Sequence, residues 1–214
     1  MSSEPQSDCP LCPRLVAFRQ VNRQAYPEFF NAPVPSFGGT QARLLIVGLA
    51  PGLQGANRTG RPFTGDYAGE LLYSTLIDFG FASGTFRADP RDGLTLVDCM
   101  ITNAVRCVPP QNKPTGEEAA TCRAFLTARI ASLPGLKVMV ALGRIAHDNV
   151  LSALGARKAA HAFGHGNEHL FADGRLLIDS YHCSRYNTNT GVLTEPMFRD
   201  VFAKVRARLA GPAQ

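Results

Sequence analysis

Apolar and polar positions follow two rhythms along this chain. Leu44 to Val47, Leu94 to Ile101, Lys137 to Leu142 and Arg175 to Tyr181 are short apolar runs closed by turn residues, the pattern of strands buried on both faces. Between them apolar residues return at helical spacing, predicting helices over Arg14 to Tyr26, Glu70 to Phe79, Thr115 to Leu133, Arg144 to Leu154 and from Thr194 onward. Thr115 and Glu118 form a capping box, and Met197, Phe198, Val201, Phe202, Val205 and Leu209 share one face of the last helix. Strands alternating with helices predict an α/β fold, a parallel sheet covered on both faces. In such a sheet the loops after Val47, Ile101 and Tyr181 leave from one edge. That edge holds Asn57, Arg58, Arg61, Phe63 and Asp66, then Asn103 and Arg106, then His182, Ser184, Arg185, Tyr186 and Asn187.

The first of these loops is the longest and the richest in glycine, at positions 48, 52, 55, 60 and 65. Its backbone can approach a ligand closely, with Arg58 and Arg61 beside it. A glycine-rich turn between a strand's carboxyl end and a helix's amino end is where open α/β sheets carry sites. The stretch is only loosely like a phosphate-binding P-loop, because no Lys-Ser or Lys-Thr pair follows.

Composition narrows the class. The chain has 214 residues, 45% of them hydrophobic, enough for one well-buried domain spanning 1–214. No apolar run reaches membrane-spanning length and the amino terminus lacks the pattern of a signal peptide, so a cytoplasmic protein is expected. The net charge of +5 mildly favours an anionic partner. Six cysteines in a reducing compartment point to metal or thiol chemistry. Cys9 and Cys12, in a segment ending near residue 13, and Cys107 and Cys122, flanking a proline loop, offer four thiolates to a zinc ion or an iron–sulfur cluster, between which spacing does not choose. Cys99 fits a strand interior. His161, His165 and His169 have helical metal-site spacing, but Gly164 and Gly166 break the helix that would align them. His182, on the loop edge, is the histidine placed to act on a leaving group.

Three ordered motifs carry a resemblance: G-L-A-P-G with N-R-T-G-R-P-F-T-G-D over 48–66, I-T-N-A-V-R-C-V-P-P-Q-N-K-P over 101–114, and H-C-S-R-Y-N-T-N-T-G-V-L-T over 182–194. Together with the four placed cysteines they resemble the uracil-DNA glycosylase superfamily, its iron–sulfur branch, family 5. The resemblance implies a three-layer α/β/α fold with a four-stranded parallel sheet, and a structural 4Fe-4S cluster on Cys9, Cys12, Cys107 and Cys122. It implies that Phe63 stacks on an extruded base, Asn103 hydrogen-bonds its polar edge and His182 stabilises the departing oxyanion, with Gly48, Leu49 and Ala50 lining the base site. Leu49 stands where family 4 enzymes have Glu, which leaves Asn57, or more weakly Asp66, to direct water. Cys183 replaces the usual proline of the third motif.

The chemistry suits these residues, since breaking a base–sugar bond builds negative charge on the base and fixed donors matter more than a nucleophile. The base must first leave the stack. Arg58, Arg61, Ser184, Arg185 and Tyr186 are the expected DNA contacts, with Arg106 and Lys113 as further cations. The expected partner is DNA bearing uracil or other deaminated bases such as hypoxanthine, acted on by a monomer. Two other classes compete: a non-catalytic iron–sulfur or zinc DNA-binding module, and a nucleotide hydrolase using the glycine-rich loop.

Overall fold

The structure, a computed structural model, describes residues 2–211; the last three positions of the carboxyl-terminal tail, expected to fray, lie outside them. Helices are α1 (Pro13–Ala25), α2 (Ala56–Thr59), α3 (Tyr67–Asp78), α4 (Gly116–Ala131), α5 (Arg144–Ala153), α6 (Arg185–Asn189) and α7 (Glu195–Ala210). Strands are β1 (Phe37–Gly38), β2 (Leu44–Gly48), β3 (Ala82–Ser83), β4 (Thr95–Leu96), β5 (Cys99–Asn103), β6 (Val138–Leu142), β7 (Glu168–Leu170) and β8 (Leu176–Ser180).

The main sheet has six strands in the order β1-β5-β2-β6-β8-β7. Its inner four run parallel, as expected, and the edge strands β1 and β7 pair antiparallel to them. The two edges carry two and three residues, too short to leave a periodic signal in the sequence. The inner strands are buried throughout, and alternate residues face opposite layers. Leu44, Ile46, Ile101, Val140 and Ile178 pack on Leu72 and Leu76 of α3 and on Phe198, Phe202 and Val205 of α7. Leu45, Val47, Met100, Met139 and Leu177 pack on Leu126 and Ile130 of α4 and on Val150 and Leu151 of α5.

Two boundaries differ from expectation. The apolar run from Leu94 is divided between β4, which pairs with β3, and β5. The break falls at Asp98, which sits at φ 54° and accepts hydrogen bonds from the backbone and guanidinium of Arg43. Helix α3 begins three residues before the expected Glu70, because Asp66 caps it, accepting from Gly69 N–H at 3.3 Å.

The chain passes from β2 to β5 on one side and returns by α4 to β6 on the other. The strand order therefore reverses at β2, and a crevice opens above the carboxyl end of that strand.

Candidate active site

That crevice is a cavity of about 520 Å³ lined by Leu49, Ala50, Phe63, Asp66, Asn103 and His182, with Ser184 and Arg185 at its rim. Parallel pairing sets Gly48 beside Asn103 across β2 and β5. A Cβ on Gly48 would lie 2.4 Å from Asn103 Oδ1 and 2.6 Å from Phe63 Cζ, so only glycine lets both side chains settle over the strand end. The Phe63 ring faces the imidazole of His182, centroids 6.0 Å apart and planes 28° apart.

Two of the site's polar side chains, Asn103 and His182, stand without protein partners among the described residues. Among the described residues, neither ring nitrogen of His182 and neither end of the Asn103 amide hydrogen-bonds to protein, although Asn103 is buried. Only the His182 carbonyl is engaged, accepting from Asn187 Nδ2 at 2.8 Å. Protein packed around the imidazole pushes its pKa down to about 4, which keeps the ring neutral. Cys183, which stands where the third motif usually has proline, is fully buried and donates its S–H to the Ala68 carbonyl at 3.5 Å, tying this loop to the first turn of α3.

Asp66 lines the cavity and Asn57 does not. The Asn57 side chain is buried, its Nδ2 donating to Asn31 Oδ1 at 2.9 Å. Access to the cavity thus reverses the expected order of these two candidates for directing water. A Cβ on Gly55 would sit 2.7 Å from Asp66 Oδ2, so the glycine-rich turn admits this carboxylate. Asp66 is open to solvent on its cavity side, and desolvation of its protein side raises its pKa against the bonds from Gly69 and Ala68.

Two expected cations are corrected. Arg61 is buried and forms a two-pronged ion pair with Asp92, Nη1–Oδ1 and Nη2–Oδ2 both 2.8 Å. Arg106 is buried too, donating to the carbonyls of Val34 and Ser3 and pairing with Glu4 at 3.1 Å, which anchors the amino-terminal segment. Neither is free for a phosphate. Arg58, Lys113 and Arg185 are exposed, and Arg185 lies 5.3 Å over the Tyr67 ring at the cavity mouth. Tyr186 is 74% exposed. Tyr67 and Asn112 also line the cavity. Nothing in the sequence singled them out, because both read as loop residues; Asn112 sits in left-handed backbone at φ 57°.

Away from this edge, Cys9, Cys12, Cys107 and Cys122 are free thiols lining one small cavity among Leu15, Val105 and Phe125. Arg106 N–H points at Cys122 Sγ at 3.4 Å and Arg19 Nη1 at Cys107 Sγ at 3.7 Å. Burial pushes Cys12 up to about 11 and Cys107 up to about 12, and neighbouring thiols add to both shifts. The four cysteines thus share one cavity, and backbone or guanidinium N–H groups face two of the sulfurs, Cys122 and Cys107. The histidine triplet does not share a helix, as expected: His161 follows a turn, and His169 lies in β7 beside His147 and Asp179.

The sequence profile described as the uracil DNA glycosylase superfamily matches residues 35–206. The chain belongs to this superfamily. It is 47% identical to the type-5 uracil-DNA glycosylase of Thermus thermophilus, over 95% of this chain and 94% of that one. A Pyrobaculum aerophilum protein of the same type is 38% identical over 94% of this chain and 88% of its own, and that organism's type-4 enzyme is 32% identical over 83% and 82%. A likeness greater to the type-5 than to the type-4 sequence accords with Leu49 in place of Glu.

Proposed function

We propose that this chain is a uracil-DNA glycosylase of DNA repair, hydrolysing the bond between an extruded uracil and its deoxyribose. The observation that carries the reading is the meeting of an unpartnered Asn103, a neutral unpartnered His182 and the Phe63 ring in one cavity. Donors and acceptors that face one cavity with no protein partner are free to meet a ligand, and their gathering at one point marks where it is held. The base stacks on Phe63 and offers its polar edge to Asn103. As the glycosidic bond breaks, the electron pair passes to the base and its oxygen gathers charge, which His182 meets with an N–H. Being neutral, His182 stabilises that oxygen by a fixed dipole and does not protonate it in advance. Asp66, at the cavity wall, directs the water that adds to the sugar. Arg58 and Lys113 hold backbone phosphates, and Arg185 and Tyr186 enter the gap the base leaves.

A site that recognises polar edges without a carboxylate at position 49 also admits hypoxanthine. Cys9, Cys12, Cys107 and Cys122 hold a 4Fe-4S cluster, which pins the amino-terminal segment to the proline loop and takes no part in the reaction. The protein works as a monomer in the cytoplasm; no helix of the described residues is long and apolar enough to cross a membrane.

Incubation with uracil-containing and hypoxanthine-containing DNA, followed by alkali cleavage at abasic sites, tests the activity. Cleavage is the expected outcome. DNA bound but left intact would favour a non-catalytic module, and release of phosphate from nucleotides without DNA would favour a hydrolase. Anaerobically purified protein is expected to be brown and to lose iron on Cys107→Ser; a colourless protein carrying zinc would remove the cluster.

A further inference from the structure

We propose that Arg61, Asp92 and Tyr73 are positioning residues that clamp the backbone on either side of Phe63 and so aim the stacking ring into the base pocket. The proposal rests on the reading of Phe63 as the surface that receives the base. Phe63 sits at φ 55°, a left-handed conformation that a bulky side chain rarely adopts. Such a residue persists only where its surroundings over-determine it.

They do so here from both sides. Ahead of Phe63, the Arg61 guanidinium is gripped by both oxygens of Asp92 and lies 5.4 to 5.6 Å from the ring centroids of Phe37, Tyr73 and Phe86. Asp92 is itself fixed, accepting from the backbone N–H groups of Arg87 and Leu94, both at 3.0 Å. The Pro62 carbonyl accepts from the Tyr73 hydroxyl at 2.7 Å. Beyond Phe63, Thr64 Oγ1 accepts from Arg61 Nε at 2.7 Å, so one guanidinium reaches across the strained residue. Gly69 leaves room for the Phe63 carbonyl, with which a Cβ at that position would collide.

A cation buried beneath the site, with its charge met by Asp92, has no phosphate to bind. What it controls is the path of residues 61–64, and through that path the ring that shares a face with His182.

A double-mutant cycle on single-turnover excision of uracil separates this role from ordinary structural support. Phe63→Ala is expected to slow excision about tenfold to a hundredfold, as loss of one aromatic platform does. Asp92→Asn and Tyr73→Phe are each expected to slow the otherwise native enzyme about fivefold or more, with DNA affinity within about twofold. In the Phe63→Ala background the same changes are expected to cost less than about twofold, because the residue they aim is gone. Equal losses in both backgrounds would overturn the clamp, as would native rates for Asp92→Asn and Tyr73→Phe. If Asp92→Asn fails to fold, Tyr73→Phe completes the cycle, since it leaves the buried ion pair intact. A Phe63→Ala enzyme with the native rate would reject the stacking role itself, a result distinct from additivity.

Discussion

Asp179 and His182 stand three positions apart at the end of β8, and their polar atoms are treated in opposite ways. Asp179 is fully buried and fully paired: Oδ1 lies 2.7 Å from His147 Nδ1, and Oδ2 lies 2.9 Å from His169 Nε2 and 3.3 Å from Gly164 N–H. The other ring nitrogen of His147 donates to the His161 carbonyl at 3.0 Å. This cluster binds α5, β7 and the turn before β7 to the sheet. Among the described residues, the His182 ring and the Asn103 amide have no such partners. The same residue types thus serve stability where they satisfy one another and chemistry where they are left unsatisfied.

Breaking each cluster sharpens the contrast. The largest effect is expected for Asp179→Ala, which strands two buried imidazoles and is expected to lower unfolding free energy by about 3 to 5 kcal/mol. Denaturant titration measures it, and the folded fraction is expected to excise uracil within a few-fold of the native rate. Asn103→Ala and His182→Ala invert the pattern, with a barrier raised by roughly 2.7 to 4 kcal/mol, a hundredfold or more in rate, and unfolding midpoints little changed. Were Asp66→Ala to abolish excision while His182→Ala left it nearly intact, water delivery and not the leaving base would control the rate.

Acid gives a smaller and more selective perturbation. With His182 held neutral down to about pH 4, the excision rate is expected to show no inflection from this residue near 6.5, the ordinary histidine value. The unfolded chain takes up that proton below about pH 6.5 while the folded chain resists until about 4, so acidification across this window favours unfolding. His182→Ala removes that contribution, and its stability is expected to fall less than the native protein's between pH 7 and about 4.5. The smallest effects are expected from the exposed cations: Arg58→Ala and Lys113→Ala should each lower the salt slope of DNA affinity by about one, without changing base preference.

The four inner strands, their parallel sense and the five long helices were legible because burial on both faces and helical periodicity leave repeating marks in the sequence. Phe63, Asn103 and His182 were legible through ordered motifs and through their place on one sheet edge. Arg61 and Arg106 could not be read correctly, because an arginine in a loop looks the same whether it meets a phosphate or, as here, a buried Asp92 or Glu4 far along the chain. The same holds for His147 and His169, whose shared partner Asp179 lies 32 and 10 residues away. Local pattern determines which segments become strands and helices, since period and propensity act between near neighbours. Which polar groups end up paired, and which are left to receive a ligand, depends on contacts between segments remote in sequence, and only the folded chain decides them.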